Sequence, residues 1–198
     1  MTKLKKYKMF INGEWTDSES KKTFQTLNPE NNEPWAEVPE ASEKDVDKAV
    51  KAAQKAFEGT WPKLFPKERA KYLREIAEQL RENAELLGKI ETIDTGKLFK
   101  ETKTQANYIA EYYDYYAGLA DKVEGTVLPI DKANMQVITT RVPIGVVAAI
   151  IPWNSQMLLT AVKLAPALAM GNTVVIKSSE LAPATLFEFA KLIEKTGI

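Results

Sequence analysis

Two short polar clusters carry the residues best suited to chemistry, and each follows directly on an apolar run. Trp153-Asn154 comes after Ile144–Ile151, and Lys177-Ser178-Ser179-Glu180 comes after Thr173–Ile176. An amide donates hydrogen bonds without titrating, while an ammonium and a carboxylate add a donor and an acceptor of opposite charge. Together with an indole they point to a small-molecule ligand, with loop solvation as the competing reading. The chain contains no histidine and no cysteine, which excludes a Ser/His/Asp triad, a Cys/His dyad, a thiolate zinc site and a disulfide. Without a base, Ser155, Ser178 and Ser179 read as turn or cap residues.

The elements that must position these clusters follow from periodicity. Ile144–Ile151 is apolar on both parities, as a strand covered on both faces of a parallel sheet would be. Residues 156–170 show helical spacing through Leu158, Ala161, Leu164, Ala165 and Leu168, with Pro166 bending the last turn and Gly171-Asn172 closing it. Thr173–Ile176 is a short β-branched strand, and Pro183 opens a last helix that stops at Gly197. A right-handed β-α-β crossover brings both strand ends to one edge of the sheet, where open α/β proteins bind ligands. No Gly-x-Gly-x-x-Gly follows the first strand, so spacing alone reaches only an α/β ligand binder.

Upstream, Met9-Phe10-Ile11, the Asn12-Gly13 turn and Trp15 predict an N-terminal β-hairpin, and the turn-rich stretch 28–32 predicts a further strand pair or extended arm before Trp35–Val38. Three helices should follow. The first is capped by Ser42 with Asp45 three positions on, carries Val46, Ala49, Val50, Ala53 and Phe57 at helical spacing, and ends at Gly59. The second starts at Pro66 and runs to Asp94, and the third spans about 100–120. Its Tyr108, Tyr112, Tyr113, Tyr115 and Tyr116 read as a packing surface with hydrated hydroxyls. Residues 127–141 predict a projecting two-stranded ribbon that invites a partner strand.

Lysine plus arginine (27) balances aspartate plus glutamate (27), so no net field favours nucleic acid or an anionic membrane. No apolar run approaches the roughly 20 residues of a membrane span, and the lysine-rich start, Met1–Tyr7, lacks the apolar block of a signal peptide. Cytoplasm is the expected compartment.

Five blocks in order, Phe10-Ile11-Asn12-Gly13-Glu14-Trp15, Asp94-Thr95-Gly96-Lys97, Pro143-Ile144-Gly145-Val146-Val147, Pro152-Trp153-Asn154 and Lys177-Ser178-Ser179-Glu180, resemble the aldehyde dehydrogenase superfamily. Pro-Trp-Asn and the helix end at 164–172 are the most specific of these matches. The resemblance implies a partial Rossmann-like parallel sheet with preceding helices. Residues 1–122 would form the hairpin and helical part of the cofactor-binding domain, 123–142 a ribbon of oligomerisation type, and 143–198 the first β-α-β-α unit.

The resemblance also implies a mechanism in which a cysteine thiolate attacks an aldehyde, an asparagine amide and a backbone N–H hold the oxyanion, hydride passes to NAD, and a glutamate base assists thioester hydrolysis. Asn154 matches the oxyanion amide. Lys177 and Glu180, with Ser179 between them, match adenosine-ribose contacts, and Ile150, Ile151, Pro152 and Trp153 match the lining of the cofactor cleft. A carboxylate at Glu180 accepts from a ribose diol and repels a 2'-phosphate, which favours NAD, with NADP as the second option. Some members hold a monovalent cation near the positions of Thr26 and Asp94. The chain departs from the family where Ser155-Gln156 replaces an aromatic and a proline, and where Ser178 replaces a proline.

With the catalytic domain and its cysteine outside the sequence, the chain alone is expected to be inactive. It reads as the amino-terminal part of an enzyme that works as a homo-dimer or tetramer. One half of a split enzyme, or a non-catalytic nucleotide-binding or interaction module, are the alternatives.

Overall fold

The computed structural model describes residues 4–198; Met1–Lys3 of the lysine-rich start lie outside the described residues. Five short strands come first: β1 (Lys5–Lys6), β2 (Met9–Ile11), β3 (Glu14–Thr16), β4 (Thr23–Asn28) and β5 (Glu33–Pro39). β2 and β3 form the expected hairpin, with Asn12 at φ 56° and Gly13 at φ 77° turning the chain. Two consecutive positive φ values are what a tight hairpin requires, and Asn-Gly supplies them at low steric cost. β4 pairs antiparallel with β5, and β1 adds to β5 in parallel. That third strand has no apolar signal, and side chains secure it instead. The Tyr7 hydroxyl donates to Glu188 at 2.8 Å, Lys5 pairs with the same carboxylate at 2.6 Å, and Tyr7 stacks on Phe187 at 5.1 Å.

Four helices follow where three were expected: α1 (Glu43–Glu58), α2 (Pro66–Glu82), α3 (Ala84–Thr95) and α4 (Phe99–Leu119). Asp45 caps α1 as its spacing predicted, accepting from the Ser42 backbone at 2.8 Å and from the Ser42 hydroxyl at 2.7 Å. It also accepts from Ser18 at 2.8 Å, which joins the cap to the N-terminal strands. Burial acts to raise its pKa, but these hydrogen bonds outweigh it and hold the carboxyl well below the usual carboxylate range. The predicted second helix is broken at Asn83, whose φ of −109° and ψ of 15° leave the helical region. The Asn83 amide bonds the Gln79 carbonyl at 2.8 Å, a local competitor for helix bonding. Apolar periodicity continues through Leu80, Ala84 and Leu87, so the pattern conceals the break.

The main core lies among α2, α3, α4, α5 (Gln156–Ala169) and α6 (Ala184–Thr196), with Leu73, Leu80, Leu87, Ile109, Ala161 and Phe189 buried together. Full burial of such side chains stabilises by roughly 1.5–3 kcal/mol each. Gly88 permits α3 and α4 to touch, since a Cβ there would lie 2.8 Å from the Lys103 backbone nitrogen. The tyrosine surface is only partly as expected. Tyr108 and Tyr115 are exposed, but Tyr113 is fully buried against Phe189 and its hydroxyl has no partner.

The ribbon is short: β6 (Val127–Leu128) pairs antiparallel with β7 (Val137–Ile138). Val127, Leu128 and Ile138 are exposed along it. β8 (Val146–Ile150) and β9 (Thr173–Lys177) then pair in parallel, from Val146↔Thr173 to Ile150↔Lys177. No helix among the described residues is long and apolar enough to cross a membrane.

Candidate functional site

The register of β8 on β9 is fixed at its N-terminal end by the Gly171-Asn172 turn. Gly171 adopts φ 83°. Asn172 Oδ1 accepts from the backbone N–H groups of Ile144 and Gly145 at 2.7 and 3.1 Å, and its carbonyl accepts from the Trp61 indole at 2.9 Å. One residue at the start of β9 therefore aligns the start of β8, and the parallel ladder carries the alignment to the opposite edge. Arg69 closes the C-terminal end of α5 by donating to the Ala169 carbonyl at 3.0 Å, where the helix dipole favours a cation.

At that opposite edge β8 leads into a single 3-10 turn, Trp153–Ser155, and β9 leads into the loop 178–183. The Ile151 N–H donates to the Lys177 carbonyl at 3.0 Å, so the two strands stay paired until the polar clusters begin. Asn154 is exposed on the first turn and makes no side-chain hydrogen bond among the described residues. Lys177 and Glu180 pair at 2.9 Å with both side chains largely in water. Glu180's own backbone N–H and the Lys177 ammonium hold its carboxyl below the usual range, so it stands ionised.

Apolar side chains surround these groups. Ile150 is 71% exposed and Trp153 51%, and Leu181, which periodicity did not single out, is 62% exposed. Pro152 is exposed beside them. The expectation that β8 is covered on both faces holds only in part: α5 packs on one face of the β8–β9 pair and α1 on the other, where the Thr173 hydroxyl donates to the Ala53 carbonyl at 2.9 Å, but Ile150 at the carboxyl end is left exposed. Ile151 points the other way and is buried in the main core. Ser179 is buried and its hydroxyl accepts from the Leu181 N–H at 3.2 Å, shaping the loop.

Thr26 and Asp94 meet at the start of α6, just after the loop that follows β9. The Thr26 hydroxyl donates to Asp94 Oδ1 at 2.9 Å, and Asp94 Oδ2 accepts from the Ala184 N–H at 2.7 Å in the first turn of α6. Burial raises the Asp94 carboxyl to about 6, against the lowering effect of those hydrogen bonds. Among the described residues no group of three or more His, Cys, Asp or Glu side chains converges.

Two side-chain bonds that sequence did not reveal flank Asn154. The Lys97 ammonium donates to the Ser155 hydroxyl, and the fully buried Gln156 amide donates to the Ala182 carbonyl. The second bond joins the turn after β8 to the loop after β9.

Comparisons with known proteins agree with this architecture. The model described as "Aldehyde dehydrogenase family" matches residues 15–198. A (Z)-2-((N-methylformamido)methylene)-5-hydroxybutyrolactone dehydrogenase from Acinetobacter baylyi is 49% identical over 98% of this chain and 40% of that protein. The crystal structure of betaine aldehyde dehydrogenase from Staphylococcus aureus in complex with NAD+ superposes with a TM-score of 0.93 at 37% identity, over 96% of this chain and 38% of that one. A 3,6-anhydro-L-galactose dehydrogenase in complex with NAP gives the same TM-score, 0.93, at 30% identity over 98% of this chain and 40% of that one. The chain thus spans about two fifths of the length of these relatives. With most of its residues matched and its architecture shared, the chain belongs to the aldehyde dehydrogenase family.

Proposed function

We propose that this chain supplies the oxyanion amide and the adenosine-ribose side of the cofactor cleft to an enzyme that oxidises an aldehyde to a carboxylic acid with NAD. The observation that carries this reading is the parallel pairing of β8 with β9. It sets Asn154 and the Lys177–Glu180 pair just beyond the carboxyl ends of adjacent strands. Family membership and the NAD+ complex of the Staphylococcus aureus relative support it.

The residues at this edge fit a dinucleotide. Ile150, Trp153 and Leu181 expose the apolar surface that a planar ring covers, and Pro152 extends it. Glu180 accepts from ribose hydroxyls in its ionised form, while Lys177 donates beside it and limits the repulsion that a 2'-phosphate would meet. The ionised Glu180 carboxylate still repels a 2'-phosphate, so NAD is preferred over NADP. Ile151 and Ser179 act behind this surface, by packing and by turning the loop. When bound, the nicotinamide supplies the hydride acceptor.

Asn154 is assigned to hold the negative charge that develops on the aldehyde oxygen. An uncharged amide suits that task, because it donates at every working pH and its dipole needs no proton transfer. The attacking thiolate and the hydrolytic base come from residues outside this sequence, which has no cysteine, so the chain alone is expected to oxidise no aldehyde. Thr26 and Asp94 are assigned to fixing the start of α6 rather than to holding a cation. The exposed ribbon of β6 and β7 is assigned to subunit contacts in a homo-dimer or tetramer.

In the enzyme that carries this chain, Asn154→Ala should lower kcat by about 10²-fold with little change in NAD affinity. Steady-state turnover and NAD titration measure the two quantities. An unchanged kcat removes the oxyanion assignment.

A further inference from the structure

Asn154 has no side-chain partner of its own among the described residues, so its direction depends on the backbone of the turn that carries it. Ser155, the last residue of that turn, accepts a hydrogen bond from the Lys97 ammonium. Lys97 sits just beyond α3, after Gly96 at φ 76°, and comes from a different part of the fold. Its ammonium also lies 3.6 Å from Glu91 Oε1. Glu91 is fully buried in α3, and neither of its carboxylate oxygens has a hydrogen-bond partner. A buried acid with no other partner is a strong reason for a nearby cation to stay in place.

We infer that Glu91, Lys97 and Ser155 form a clamp that fixes the turn 153–155, with Lys97 as a positioning residue for the Asn154 amide. This rests on the oxyanion reading proposed above. The Lys97 side chain spans from a rigid helix end to the turn, and its Ser155 bond is charge-assisted, hence stronger and more directional than a neutral one. Gln156 restrains the next residue from the other side through the Ala182 carbonyl. The turn is thereby held at its last residue and at the residue after it by two side-chain hydrogen bonds to other parts of the fold. A donor must be set to within a fraction of an ångström of the developing charge to be effective, and a clamp of this kind supplies that fixity.

Ser155 is only partly buried, so it can be altered without opening the core. Ser155→Ala deletes the acceptor and leaves the Lys97–Glu91 pair; Ser155→Thr keeps the hydroxyl. Backbone ¹⁵N order parameters at Trp153, Asn154 and Ser155, measured on the chain itself, should stay near about 0.85 in the wild type and in Ser155→Thr, and fall toward about 0.6 in Ser155→Ala. In the enzyme that carries the chain, Ser155→Ala should lower kcat by roughly tenfold with the KM for NAD unchanged, and Ser155→Thr should restore it. Unchanged order parameters in Ser155→Ala overturn the clamp. Loosening without a fall in kcat overturns the positioning role. If the wild-type enzyme oxidises no aldehyde, the oxyanion reading fails, and the order parameters still decide whether the clamp exists.

Discussion

Along α2, α3 and α4, Leu73, Leu80, Leu87, Ile109 and Tyr113 are withdrawn entirely or almost entirely from water, whereas at the ends of β8 Ile144 is 86% and Ile150 71% exposed. Both regions have apolar sequences. The helices meet one another on several sides, and their side chains find a core within this chain. The strand pair buries Ala149 and Ile151 against the helical core and meets α1 on its other face near Thr173, but at its carboxyl end it leaves Ile150 exposed beside Asn154, Lys177 and Glu180. Stability is therefore concentrated in the helical layer, and the chemistry proposed for this chain falls to an edge whose exposed apolar residues contribute little to folding. This division makes the rim available to a ligand at small cost to the fold.

Substitution of Leu80 by Ala tests the helical side of that comparison most severely. Its side chain is fully buried at the centre of the core, so a loss of about 2–5 kcal/mol in urea-induced unfolding is expected. A loss near zero would mean that the helical layer is not the source of stability.

Asp94 joins the helical layer to the start of α6, and its carboxyl is raised from 3.8 to about 6 by burial. Between those values the folded chain binds more protons than the unfolded one, so this site opposes folding at neutral pH and is relieved as pH falls. The stability of the wild type relative to Asp94→Asn should rise by roughly 3 kcal/mol as pH falls from 7 to about 3, most of it above pH 4, and then level off. Urea midpoints for both proteins across that range check the sign. Asp45 runs the other way, losing its contribution as pH falls below 3.8, and it cancels in the comparison because both proteins contain it.

Ile150→Thr is expected to have the smallest effect on folding, within about 0.5 kcal/mol, since the side chain it trims is mostly in water. The same change should weaken NAD binding. A loss as large as that of Leu80→Ala would show that the rim is part of the core.

Much of this division was legible in the sequence, because helix caps, turn glycines and apolar periodicity are local signals. Ser42 with Asp45, Asn12-Gly13 and Gly171-Asn172 are each read within a few residues, and the elements they bound are in place. The parallel β8–β9 pair followed from the strand-helix-strand pattern and the handedness of such crossovers. Long-range polar contacts were not legible. Lys97 reaches Ser155 across 58 positions, Gln156 reaches Ala182 across 26, and Asp94 reaches Ala184 across 90, with no periodic pattern to announce them. Asn83 was missed for the opposite reason, since an uninterrupted apolar stripe masked a local break. Exposure of Ile150 could not be foreseen from composition, because coverage of a strand face depends on which distant elements pack over it, and α1 reaches Thr173 but leaves the carboxyl end exposed.

Titration of NAD into the ¹⁵N-labelled chain, followed by amide chemical shifts, tests the central claim most directly. Shifts confined to the amides of residues 150, 151, 153, 154 and 177–181, with a weaker preference for NAD over NADP in Glu180→Gln, are the expected result. Shifts elsewhere in the molecule, or none at millimolar NAD, would contradict the assignment of this strand edge to the cofactor.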